Sequence, residues 1–121
     1  MKIKLVFPTL DYKDQIMKYK SDFMLSDENM HGTAGLRDAK TFEEWHAALL
    51  ANLSEDTVGE GLVPATTLLA VDEKNQLLGM IDIRHRLNDY LMKFGGHIGY
   101  SVAKAQRRKG VATTMLSLAL D

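Results

Sequence analysis

The chain has 121 residues, 45% hydrophobic and 26% charged, with a formal net charge of −1. That is the size of one soluble domain, spanning 1–121, without the basic field of a nucleic-acid binder or any pull toward an anionic membrane. It contains no cysteine, which excludes a disulfide framework, a thiolate nucleophile and a cysteine zinc site. No apolar run approaches the ~20 residues that span a bilayer. The first eight residues are too short in their apolar part for a signal peptide and offer no small-residue cleavage site. A cytoplasmic location is therefore expected.

Residues 2–7 alternate as a first strand, which Pro8 stops. Tyr12, Ile16, Tyr19 and Phe23 recur at helical spacing, so a first helix is predicted over 11–25 with Asp11 as its cap. Residues 26–40 are polar, contain Gly32 and Gly35, and read as a long loop of the kind that is mobile or functional. Thr41 followed by Glu44 is a capping box, and Phe42, Trp45, Leu49 and Leu53 form the apolar stripe of a second helix over 42–53. Met17, Met24 and Trp45 suit a core at this spacing better than a pocket lining.

A loop over 54–64 leads to a β-hairpin, with strands at 65–71 and 77–86 around the polar turn 72–76. Gly79 marks a bulge or a close backbone approach. After a loop over 87–95, Ile98, Tyr100 and Val102 alternate with Gly99, Ser101 and Ala103, which is strand periodicity. Val111, Met115 and Leu118 then recur at helical spacing. Between strand and helix lie Arg107, Arg108, Lys109 and Gly110. A glycine lets a ligand approach the main chain, and a helix N-terminus offers unpaired N–H groups with a positive dipole end. Such a turn suits a pyrophosphate.

The run Arg107-Arg-Lys-Gly-Val-Ala112 resembles the Arg/Gln-x-x-Gly-x-Gly/Ala signature of the GNAT N-acetyltransferase superfamily. The preceding strand, the following apolar helix and the upstream hairpin strengthen that resemblance. It implies an α+β fold with a central, mostly antiparallel sheet flanked by helices, in the order β-α-α-β-β-β-α. The family domain continues beyond this helix, so the resemblance is to its N-terminal portion, truncated on the C-terminal side. The implied activity is transfer of an acetyl group from acetyl-CoA to a primary amine by direct attack in a ternary complex. The acceptor, a small molecule or a peptide, is not readable.

By the same resemblance, the main chain of Tyr100, Ser101 and Val102 would hold the pantetheine arm. The N–H groups of Arg108, Lys109, Gly110, Val111 and Ala112 would meet the pyrophosphate, with Arg107 and Lys109 adding charge and Thr113 a hydroxyl. Many relatives carry Arg-Pro where this chain has Ala103 and Lys104, which leaves a less stiff turn. The family's strand glutamate maps to Gly96 or His97, so His97 becomes the candidate base, because imidazole titrates near neutral pH. Asp82 is the second candidate; each has a plain structural alternative as a strand residue. His31 and His46 carry no signal. The histidines lack metal-ligand spacing, so no metal is expected. Two alternatives stand beside the enzyme: a non-catalytic CoA-binding module, and an interaction protein that pairs, as in a homodimer, through an open strand edge.

Overall fold

The structure is a computed structural model that describes residues 2–59, 63–85 and 98–119. Its regular elements are β1 (Lys4–Val6), α1 (Lys13–Leu25), α2 (Phe42–Ala51), β2 (Ala65–Val71), β3 (Leu77–Arg84), β4 (Ile98–Val102) and α3 (Val111–Ala119). The strands form one antiparallel sheet in the order β1-β2-β3-β4. This is the α+β arrangement expected.

The helices cover both faces of the sheet. On one face α1 and α2 bring Ile16, Tyr19, Phe23, Trp45 and Leu49 against Leu69, Val71, Leu77 and Met80. On the other, Val111 and Met115 of α3 pack on Ala70, Leu78, Ile81 and Val102. A central strand buried on both sides needs no polar alternation, which is why β3 reads as the nearly unbroken apolar run Leu77 to Ile83. Its exception is Asp82. Leu78 is the extra residue of a bulge, since Ala70 pairs with Gly79 while Val71 pairs with Leu77. Gly79 lies beside it, where a Cβ would come within 2.6 Å of the Ser101 carbonyl and 3.0 Å of the Met115 sulfur. Both readings of that glycine hold.

Helix boundaries differ from the sequence reading at their ends. Residues Leu10–Tyr12 form a single 3-10 turn before α1, and Asp11 lies inside that turn instead of capping the helix. At α2 the cap is as expected: the Thr41 hydroxyl accepts the Glu44 N–H at 3.1 Å. The helix ends at Ala51, two residues early. Trp45 is core, 1% exposed.

The segment 26–40 is tied down rather than loose. Trp45 donates its indole N–H to the Thr33 carbonyl at 2.7 Å, and Arg37 donates to the Glu28 carbonyl at 3.1 Å. Leu36 and Thr33 are buried. Gly32 is the tightest point. Its φ is +73°, and a Cβ there would sit 2.4 Å from the Gly99 oxygen and 2.7 Å from the Tyr100 Cα. The loop thus crosses β4 by main chain on main chain.

Gly35 shares the positive φ, at +77°, but has open space around it. Gly35→Ala should therefore cost only the left-handed penalty of about 1–2 kcal/mol. Gly32→Ala should cost at least about 2 kcal/mol more, from the clash with backbone that cannot give way. Urea unfolding of the two variants measures the difference; equal losses would mean the loop does not press on β4.

Candidate functional site

The β3–β4 ladder decides which way the main chain of β4 faces. Ala103 donates its N–H to the Leu78 carbonyl at 2.8 Å, and Met80 and Asp82 pair with Ser101 and Gly99. In an antiparallel ladder hydrogen-bonded pairs alternate with non-bonded ones. Gly99, Ser101 and Ala103 are thus the residues bonded to β3. The N–H and C=O groups of Tyr100 and Val102 face away from it. Among the described residues no strand pairs with that side of β4.

Side chains alternate accordingly. Ser101 turns toward α1, where its hydroxyl and the Tyr19 hydroxyl share a buried hydrogen bond of 2.7 Å. Burial pushes the Tyr19 phenol up to about 12, against the lowering effect of Ser101 and Arg107. Val102 turns toward α3, and Tyr100 is 41% exposed.

Beyond β4 the chain makes a 3-10 turn at Lys104–Gln106 and enters α3 through two left-handed residues, Arg108 at φ +66° and Gly110 at φ +79°. The Gly110 carbonyl accepts the Thr114 N–H at 3.1 Å, closing the first helical turn. Nothing lies within 4 Å of where a Gly110 Cβ would stand. The turn therefore opens to solvent above the first N–H groups of α3, a geometry that favours an anion.

One cavity of about 490 Å³ joins these parts. Its walls include Tyr100, Ser101, Val102, Arg107, Arg108, Gly110, Val111, Ala112 and Thr113, together with Phe23, Asn29, His31 and Gln106. Of the sequence-predicted cofactor residues only Lys109 is not on the wall; its ammonium lies 3.5 Å from Gln106 Oε1. Phe23, Asn29 and His31 carried no such signal in the sequence, since they reach β4 only through the fold.

Arg107 is placed differently from its neighbours. Its Nε donates to the Val102 carbonyl at 3.1 Å, and its guanidinium meets Glu28 Oε1 at 2.7 Å and stands 5.7 Å from the Phe23 ring centroid. The Arg107 bond holds the Glu28 carboxyl below its ordinary range. Behind this septum of Phe23, Gln106 and Arg107 lies a larger hollow of about 750 Å³ against α1. Its wall pairs Lys18 with Asp22 at 2.9 Å and Glu28 with Arg107, and also carries the exposed Lys104. It lacks the α3 N-terminus, so the smaller cavity is the better candidate.

Of the two base candidates, His97 lies outside the described residues. Asp82 is 9% exposed and accepts from the Thr67 hydroxyl at 3.3 Å. It lines neither cavity. Burial raises its carboxyl above the usual range, against the pull of Arg84 and the Thr67 hydrogen bond. Among the described residues no group of three or more His, Cys, Asp or Glu could hold a metal ion. No described helix is long and apolar enough to cross a membrane.

The profile of the Acetyltransferase (GNAT) family matches residues 22–121. The chain belongs to that family, whose members carry out acyl-CoA-dependent acetyl transfer and use acetyl-CoA. No curated protein and no solved structure matched the chain.

Asp82 also yields a pH test. Its raised folded-state pKa means the folded protein holds the proton more tightly than the unfolded chain. Stability is therefore lost as pH rises from the ordinary aspartate value of about 4 through the raised value. Asp82→Asn keeps the Thr67 acceptor and removes the charge. The variant should be more stable than the parent at neutral pH, with the gap narrowing toward about pH 4. Denaturant unfolding at both pH values checks it; a gap independent of pH would mean that Asp82 is not titrating.

Proposed function

We propose that this chain is an N-acetyltransferase that binds acetyl-CoA along the outer edge of β4 and transfers its acetyl group directly to a primary amine. The observation that carries this is the continuity of one cavity from the outward main chain of Tyr100 and Val102 to the open N-terminus of α3.

The fit to a CoA-type ligand is chemical as well as spatial. An amide-bearing arm pairs with outward strand N–H and C=O groups as an added strand would. The Val102 oxygen already accepts from Arg107 Nε, but a carbonyl has two lone pairs and can take a second donor. At the far end, Val111, Ala112 and Thr113 present main-chain donors, and Arg108 and Lys109 contribute positive charge without an ionic partner among the described residues. Gly110 leaves room for phosphate oxygens to approach. Arg107 keeps the Val102 end of the strand fixed and shares its charge with Glu28.

Direct attack suits a chain without cysteine, because no thiol can take the acetyl group as an intermediate carrier. The protein's part is to hold the thioester and the amine together, accept a proton from the ammonium and keep the carbonyl polarised. Ping-pong kinetics would argue against this order. The acceptor would be a small amine or a peptide amine.

Calorimetric titration of acetyl-CoA into the parent and Gly110→Asp tests the reading. Aspartate tolerates a positive φ and favours a helix start, so the variant should fold. It places a negative charge where the pyrophosphate would lie, and at an effective dielectric of ~20 such a contact costs several kcal/mol. Affinity should fall about 100-fold or more. Saturable binding by a parent that acetylates no amine would favour the binding-module alternative; no binding by the folded parent would end the proposal.

A further inference from the structure

Three histidines lie among the described residues, and their surroundings differ sharply. His46 shares a hydrogen bond of 2.9 Å with the Pro8 carbonyl and stacks on Phe42, with ring centroids 5.5 Å apart. It is a packing residue. His85 shares a hydrogen bond of 2.8 Å with the Thr66 hydroxyl at the far end of the hairpin. It lines neither cavity. His31 is exposed, has no hydrogen-bond or ionic partner among the described residues, and lines the cavity that Tyr100 and Val102 share with the α3 N-terminus.

Its position is not accidental. The next residue, Gly32, is the one whose main chain presses on Gly99 and Tyr100. Trp45 holds Thr33 by its carbonyl, one residue further on, and the Thr33 hydroxyl donates to the Met30 carbonyl at 2.7 Å. His31 is therefore bracketed on both sides by fixed backbone, at the Gly99–Tyr100 end of β4. The anion-accepting turn at Gly110 lies past the opposite end of that strand. A ligand with its phosphates at Gly110 and its arm along β4 would bring its reactive end toward His31.

Resting on the acetyl-transfer reading, we infer that His31 is the catalytic base, its imidazole taking the proton from the acceptor ammonium beside the thioester. The freed nitrogen lone pair forms the C–N bond to the thioester carbonyl carbon as the C–S bond breaks. The second N–H proton goes to the departing thiolate, and the imidazolium returns its proton to solvent. Imidazole suits this exchange because its charge changes closest to neutral pH among side chains. An exposed ring without a partner among the described residues can accept the proton without giving up a bond to any of them. Asp82, 9% exposed and bonded to the Thr67 hydroxyl, lines neither cavity and has no such access.

Two measurements on the full chain test this. In the first, the histidine ring-proton resonances are followed while acetyl-CoA is added, and again with the nucleotide fragment of CoA that lacks the pantetheine arm. His31 should shift with acetyl-CoA and stay still with the fragment, while His46 and His85 move with neither. In the second, thiol release from acetyl-CoA with n-butylamine as the probe acceptor is compared for the parent and His31→Ala. The rate should drop about a hundredfold, with acetyl-CoA affinity unchanged and part of the rate restored by free imidazole. A His31 resonance indifferent to bound acetyl-CoA, or equal rates in parent and variant, overturns the inference alone. Absence of saturable acetyl-CoA binding to the parent overturns the functional reading beneath it, and calorimetry separates the two failures.

Discussion

The register between β3 and β4 governs everything downstream of it. With Leu78 opposite Ala103, the odd residues of β4 give their main-chain groups to β3, and Tyr100 and Val102 present theirs outward. The same register sends Ser101 to the Tyr19 side and Val102 to α3. Slipping it by one residue would exchange the faces, burying Tyr100 under α1 and freeing Val102 from Met115. The anchor is steric as much as hydrogen-bonded. Gly79 lets the Ser101 carbonyl and Met115 come so near the strand that no larger residue fits without movement.

That register also determines what can lie over the strand. Because Gly32 has no side chain, the loop after α1 can cross β4 by main-chain contact with Gly99 and Tyr100. The loop in turn hangs from α2 through the indole of Trp45. A tryptophan chosen for the core therefore locates, twelve residues back, the edge of a solvent-facing cavity. Packing and site geometry are joined here through that hydrogen bond.

Arg107 shows how one residue of a short motif can serve the protein's own architecture. It joins the Val102 carbonyl, the Glu28 carboxylate and the Phe23 ring, so it links β4, the loop after α1 and α1 itself. Exposed ion pairs contribute little alone, and this one is half exposed on both sides. Its value lies in geometry: it forms the partition between the two hollows and holds the turn that leads into α3. The charge near the helix N-terminus without an ionic partner among the described residues then comes from Arg108 and Lys109.

Periodicity alone was enough to place α1, α2, the hairpin, β4 and α3, because amphipathic spacing and the Thr41 cap are local properties. The basic turn ending in Gly110 was legible for the same reason, as was its family resemblance. Asp11 misled at the start of α1, where a 3-10 turn takes the place of a side-chain cap. What no local pattern contains is the meeting of residues distant in the chain. Phe23, Asn29 and His31 join Tyr100 and Val111 around one cavity only because α1 packs on the face to which Ser101 points and Gly32 crosses Gly99. Sequence by itself determined the elements and the basic turn before α3, since hydrogen bonding and apolar spacing act over a few residues. Tertiary structure alone decided which of the described histidines lines the cavity beside that turn, because that depends on contacts across some seventy residues of chain.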